Sequence, residues 1–187
     1  MKFSKTLALL ASAVLASADN TITFISQDAL GRTIYFTGNP GSAPVAPVHV
    51  AGGENKTVPI PPHWVGNYYA VTDGQPNIPG MLGEFAFDAW GGNNFFDVSA
   101  IVNPNDHNGV KKIWPVGEPE PFSGCELFPC NFAYYLPDDL QTKSSKKSDF
   151  YCTLGTKGAL SVEERSLMDV PDHSPSYGRE YVEGRKL

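Results

Sequence analysis

At 187 residues and 20.3 kDa, with 41% hydrophobic and 18% charged residues and a formal net charge of -6, the chain can bury one sizeable core but hardly two. Its 18 Gly and 16 Pro exclude a long helical bundle, and its 12% aromatic content excludes wholesale disorder. One all-β domain of short strands joined by turns is expected.

Lys2 and Lys5, the apolar run from Leu7 to Leu15 and the small residues Ala16-Ser17-Ala18 read as a secretory signal peptide over residues 1–18. The apolar run is too short to span a bilayer, so no membrane role is expected, and the mature chain should begin near Asp19 outside the cell. Cleavage would remove two lysines and no acid, taking the formal charge from -6 to -8. A secreted protein this acidic repels nucleic-acid phosphates unless it concentrates a basic patch, which makes nucleic acid an improbable partner.

Period-2 segments follow at 21–25, 33–36, 48–50, 57–60 and 68–71, separated by Gly, Asn, Asp and Pro turn clusters. This spacing predicts a mostly antiparallel sandwich or flattened barrel over residues 19–155. Asn55-Lys56-Thr57 is an N-glycosylation sequon in a polar, Gly-rich neighbourhood, and Asn55 is therefore a candidate modification site.

Residues 82–102 read as a hairpin turning at Gly91-Gly92-Asn93-Asn94. With Phe87 opposite Phe96 and Phe85 opposite Val98, one face is wholly apolar, and the other sets Glu84 and Asp97 as diagonal neighbours. That diagonal, roughly 7–8 Å, approaches the carboxyl spacing of inverting glycosidases, about 6.5–9.5 Å. Glu84 and Asp97 are thus candidates for acid and base catalysis or for plain binding of sugar hydroxyls. Asp88 and Trp90 at the hairpin end complete the candidate ligand-binding set, Trp90 because a tryptophan beside Gly91-Gly92 is hard to bury.

Asn103 to Gly109 is turn chemistry, and its His107 needs no metal to explain it. His49, His63 and His173 show no zinc spacing, and a mature chain starting at Asp19 lacks the terminal His of an oxidative copper site, so no metal or other cofactor is expected. Val110 to Trp114 leads into a Pro-rich connection through Pro121, a solvated loop is predicted at 143–149 and a last strand at 149–152. From 156 to 187 the chain becomes a charged tail with one short helix predicted at 161–168.

Leu82-Gly83-Glu84-Phe85, the strand Phe96-Asp97-Val98-Ser99, Gly124-Cys125 with Cys130, Phe150-Tyr151-Cys152 and the upstream Gly66-Asn67-Tyr68-Tyr69-Ala70 give a sequence that resembles the thaumatin-like family in its small secreted fungal form. The resemblance covers about residues 20–155. It implies a thaumatin-like β-sandwich with an acidic cleft and binding or slow hydrolysis of β-1,3-glucan; a loose deoxyribonuclease label attaches to some members. The family's second loop-rich domain is largely absent here, Val102 and Asn103 stand where a further cleft Asp is expected, and Arg32 lies too early to be the cleft Arg.

With Cys125, Cys130 and Cys152 only one bridge can form. A Cys125–Cys152 link closes the longer loop and constrains the unfolded chain more, and the thaumatin-like pattern implies the same pairing, leaving Cys130 free and buried. The resulting expectation is a monomeric secreted protein that binds cell-wall polysaccharide of the β-1,3-glucan class through an acidic face. The alternatives are a secreted hydrolase, either a weak β-1,3-glucanase or a nuclease, and a non-catalytic effector or structural protein.

Overall fold

The structure is a computed structural model that describes residues 20–157. The expected signal peptide, the short helix at 161–168 and nearly all of the charged tail lie outside these residues. Among the described residues there are eleven strands, β1 (Asn20–Ser26), β2 (Arg32–Gly38), β3 (Val48–Val50), β4 (Asn55–Ile60), β5 (Val65–Thr72), β6 (Leu82–Ala86), β7 (Asn94–Ser99), β8 (Val110–Pro115), β9 (Ser123–Gly124), β10 (Lys143–Ser145) and β11 (Asp149–Leu154). One 3-10 turn spans Trp90–Gly92, and no α-helix interrupts the strands.

The strands form an all-β sandwich. One sheet has the order β4-β1-β11-β8-β9 and the other β10-β7-β6-β5-β2-β3. All ladders are antiparallel except β1 with β11, where the last strand inserts beside the first. Strict alternation in β1, buried at Asn20, Ile22, Phe24 and Ser26, shows why these residues make a strand with one face in the core. The predicted strands at 21–25, 33–36, 48–50, 57–60, 68–71 and 149–152 all fall inside observed ones.

Between the sheets Phe150 of β11 packs its ring 5.1 Å from Phe85, 5.9 Å from Phe87 and 5.0 Å from Phe96. Phe24 of β1 meets Tyr68 edge-on at 5.1 Å. Edge-to-face contacts of this kind add to the area term that drives burial of so many rings. Gly83 lies opposite Tyr68 in the ladder, and a Cβ there would run into the Tyr68 ring. Gly83→Ala is therefore expected to cost about 1–3 kcal/mol through overpacking, read as a lower denaturation midpoint; an unchanged midpoint would mean that the ring can step aside.

At the end of the sandwich where β2 begins, the fully buried Arg32 organises three loops. Its guanidinium forks onto Asp28 at 2.8 and 2.7 Å and donates to the carbonyls of Leu30 and Asn108. Asp28 also accepts from the Thr156 amide, tying the end of β11 into the same cluster. Nearby, Asp106 accepts from the amides of Asn108 and Gly109 within its own turn and from that of Met81 across the loops. Residues 103–109 therefore form a side-chain-stabilised turn.

Two sequence expectations change here. The bridge joins Cys125 to Cys130, with Cα atoms 6.6 Å apart, and Cys152 is the free, buried cysteine. Cys152 is fully buried in the core on β11 beside Tyr68 while Cys125 pairs with its near neighbour Cys130, so the longer loop expected from Cys125–Cys152 does not form. The segment at 143–149 is not all loop either: β10 adds a three-residue edge to the sheet beyond β7.

Candidate functional site

The hairpin β6–β7 buries Phe85, Phe87, Phe96 and Val98 on one face as its apolar pattern requires. Its register, however, is shifted by two residues from the expected one, with Glu84 directly opposite Asp97 and Phe85 opposite Phe96. The ladder stops at Ala86 and Phe95 because Phe87 turns its amide to the Trp64 carbonyl and Asp88 adopts φ 50 with its amide on Asn94 Oδ1. A wider loop than the four-residue turn results. A slip of two keeps every side chain on its face, which is why the burial pattern survives the change.

On the outer face of the six-stranded sheet the pairings set one polar row across neighbouring strands: Thr37 of β2, Asn67 of β5, Glu84 of β6 and Asp97 of β7. Thr142, just before β10, extends it by donating from Oγ1 to Asp97 Oδ2 at 3.2 Å. The next row carries Tyr35 and Tyr69, stacked with centroids 5.6 Å apart, and Tyr69 donates to Asn77 Oδ1. Phe95 and Ala86 bound the row on its other side. Asn67, Glu84, Asp97, Thr142, Ala86 and Phe95 line a shallow groove of about 280 Å³, and Thr37 and the tyrosine pair lie beside it on the same face.

Asp97 is only 8% exposed although it faces outward. The cause is the segment that returns along β7: Tyr134 pairs with Ser99, exchanges backbone hydrogen bonds with Val98 and Ala100, and holds Thr142 by a 2.7 Å hydroxyl contact. Burial and then the neighbouring Glu84 carboxylate push the Asp97 carboxyl up to about 7, against the opposing pull of the Thr142 hydrogen bond. Asp97 Oδ1 is buried with no hydrogen-bond partner, and Glu84 stands directly opposite it in the ladder. Directly opposite residues on neighbouring strands stand closer than the diagonal pair expected from the sequence, about 4.5–5.5 Å between Cβ atoms instead of roughly 7–8 Å.

The other two predicted ligand residues stand outside the groove. Asp88 is a structural knot at the hairpin end: its carboxylate accepts from the His63 amide and from Asn20 Nδ2, each at 3.0 Å. These bonds, the His63 amide foremost, hold its pKa below the usual carboxylate value despite partial burial. Trp90 is 86% exposed on the tip of the 3-10 turn and does not line the groove. Arg32 is likewise far from any acidic cleft, committed to Asp28. Sequence reading missed Asn67, Thr142 and the tyrosine pair. Asn67 and the tyrosines carry a signal, since they alternate outward on predicted strands; Thr142 carries none, because only the chain's return along β7 brings it there.

Among known proteins the antigenic protein SchS21 of Stachybotrys chartarum is 52% identical over 135 residues, which cover 72% of this chain and 94% of that protein. The chain belongs to the SchS21 family. No family model matches it. The protein elicitor MoHrip2 of Magnaporthe oryzae has the same fold, with a TM-score of 0.53 over 72% of this chain and 98% of that one at 12% identity. The thaumatin-like resemblance is not upheld, because neither comparison places the chain in that family. Its carrying motifs are short strand and Gly-Cys fragments that any aromatic-rich β-sandwich can present in this order, and the disulfide it implied is not the one formed. The bridge and the SchS21 relationship are both compatible with life in an oxidising, extracellular setting.

Proposed function

We propose that this SchS21-family protein is secreted and non-catalytic, working by recognition as its antigenic relative and its elicitor-like fold suggest, and that its outer groove holds a neutral, hydroxyl-rich wall glycan. The observation that carries the binding reading is the single polar row of Thr37, Asn67, Glu84 and Asp97 beside the stacked Tyr35 and Tyr69. Hydroxyls find both donors and acceptors along such a row, and sugar faces pack on tyrosine rings. With the thaumatin-like resemblance set aside, β-1,3-glucan is one probe among several wall polysaccharides.

A hydrolase reading has less support, because Asp97 is buried under the segment that carries Thr142 and presents little of its carboxyl to a substrate. A nuclease reading has less still, since an acidic groove repels phosphate.

The test is retention of the secreted chain on insoluble β-1,3-glucan, chitin and mannan, with reducing ends measured in the same tubes. At least one matrix should retain the protein, Tyr69→Ala and Glu84→Gln should each weaken retention roughly tenfold, about 1.4 kcal/mol, and no reducing ends should appear. Absence of retention on every matrix sinks the binding reading. Reducing ends that vanish with Glu84→Gln would restore the hydrolase.

A further inference from the structure

The outer face of the five-stranded sheet also carries an unusual set of rings. Thr57 of β4, Thr23 of β1, Tyr151 of β11 and Trp114 of β8 lie in register in one row. Trp114 and Tyr151 pack with centroids 5.5 Å apart. The Lys112 ammonium sits 5.7 Å from the Trp114 centroid and 4.0 Å from that of Phe122, which in turn meets Phe132 at 4.9 Å. This aromatic strip crosses the outward face of the sheet, half-buried by its own neighbours and, among the described residues, covered by no strand.

At the open edge of the same face stands the sequon. Asn55, Thr57 and Pro59 alternate as the exposed residues of β4, and Asn55 is paired with Ile25 one row from Thr57. The strand order places three steps between β4 and β8, about 14 Å at the usual spacing of ~4.8 Å. The direct path from Asn55 along its own row is closed at Thr153, which is buried and donates to Glu126. The neighbouring row through Thr23 to Tyr151 and Trp114 is open.

We propose that Asn55 carries an N-linked glycan whose first sugars lie along the Thr57–Thr23–Tyr151–Trp114 row. Two N-acetylglucosamines followed by a mannose advance by about one strand spacing per sugar, so the third reaches Trp114. Their apolar faces cover the rings, and their hydroxyls and acetamides face the threonines and solvent. Tethering makes this ligand the favoured occupant of the face, since it is present at a high effective concentration that no free partner matches. The inference rests on the secreted reading above, since the modification is added in the secretory route.

The test secretes the full chain from a eukaryotic host in a Trp90→Phe background, leaving the fully buried Trp64 and the half-buried Trp114 as the emitters. Intact mass before and after peptide N-glycosidase treatment should differ by one glycan, with Asn55 converted to Asp in the peptide map. Acrylamide should quench Trp114 more after deglycosylation, and Asn55→Gln should match the deglycosylated protein. The stability increment given by the glycan should disappear in Trp114→Leu, measured as a difference between glycosylated and deglycosylated forms so that the variant's own stability cancels. Secreted chain with unmodified Asn55 overturns this inference alone, while an unglycosylated chain found only in the cytosol overturns the secreted reading with it. A modified Asn55 with equal quenching in both forms overturns the placement, and a dimer that shields Trp114 regardless of the glycan gives the face to a second copy.

Discussion

Arg32→Leu is expected to lower the stability of the domain by about 3–5 kcal/mol, or about 10–20 °C in melting temperature, the largest loss available from a single polar residue here. The guanidinium is fully buried, and its removal strands Asp28, which keeps only the amides of Leu30 and Thr156. It also orphans the carbonyls of Leu30 and Asn108. Asp28→Asn added to Arg32→Leu should recover part of the loss, because the uncompensated charge disappears with it. Burial works against the Asp28 charge, but Arg32 and the two amides outweigh it and hold the carboxyl below its usual value of 3.8. The wild-type clamp therefore contributes its stability above that value and loses it as pH falls through the lower folded one. Thermal unfolding of the single and double variants between about pH 3 and pH 7 checks this. A single variant within about 1 kcal/mol of wild type would show that water reaches the site and replaces the guanidinium.

Asp97→Asn is expected to do the opposite. In the folded protein the Asp97 carboxyl keeps its proton up to about 7, whereas in the unfolded chain it loses it near 3.8. A raised folded value gives stability that is fully present below 3.8 and declines as pH rises to about 7. At roughly 1.4 kcal/mol per unit the decline amounts to about 4 kcal/mol. Asparagine keeps the shape and can donate to Glu84 without a proton to lose, so it removes the slope. The variant should match wild type at about pH 4 and exceed it by several degrees at about pH 8. Parallel pH profiles for the two proteins would mean that the carboxylates are separated and solvated, and the groove would then hold two ordinary anions.

The two variants act at opposite ends of the pH scale because their carboxylates differ in what burial brings beside them. Asp28 meets a cation, and Asp97 meets another acid. Stability should therefore be greatest in mildly acid solution, where Asp28 is still charged and Asp97 already protonated.

Local chemistry determined much of this protein. Alternation in Ile22, Phe24 and their neighbours places β1 to within a residue or two, and Phe85, Phe87, Phe96 and Val98 mark the core face of the hairpin because period-2 burial needs no knowledge of partners. Glu84 and Asp97 were legible as an acidic pair on the opposite face for the same reason. What alternation cannot express is a slip of two residues, so the pair's direct opposition, and with it the raised Asp97 carboxyl, depended on Phe87 leaving the ladder for Trp64. Nor can local chemistry supply desolvation: Asp97 is buried by Tyr134 and Thr142, which reach it only when the chain folds back along β7. The cysteines show the same division. Their number allowed one bridge, but loop-length entropy favoured Cys125–Cys152, and the sandwich instead turns Cys152 inward beside Tyr68 and leaves Cys130 as the one thiol within reach of Cys125. Composition and periodicity act between near neighbours and so could be read from the chain, whereas register, desolvation and thiol pairing arise between residues that only the packed sheets bring together.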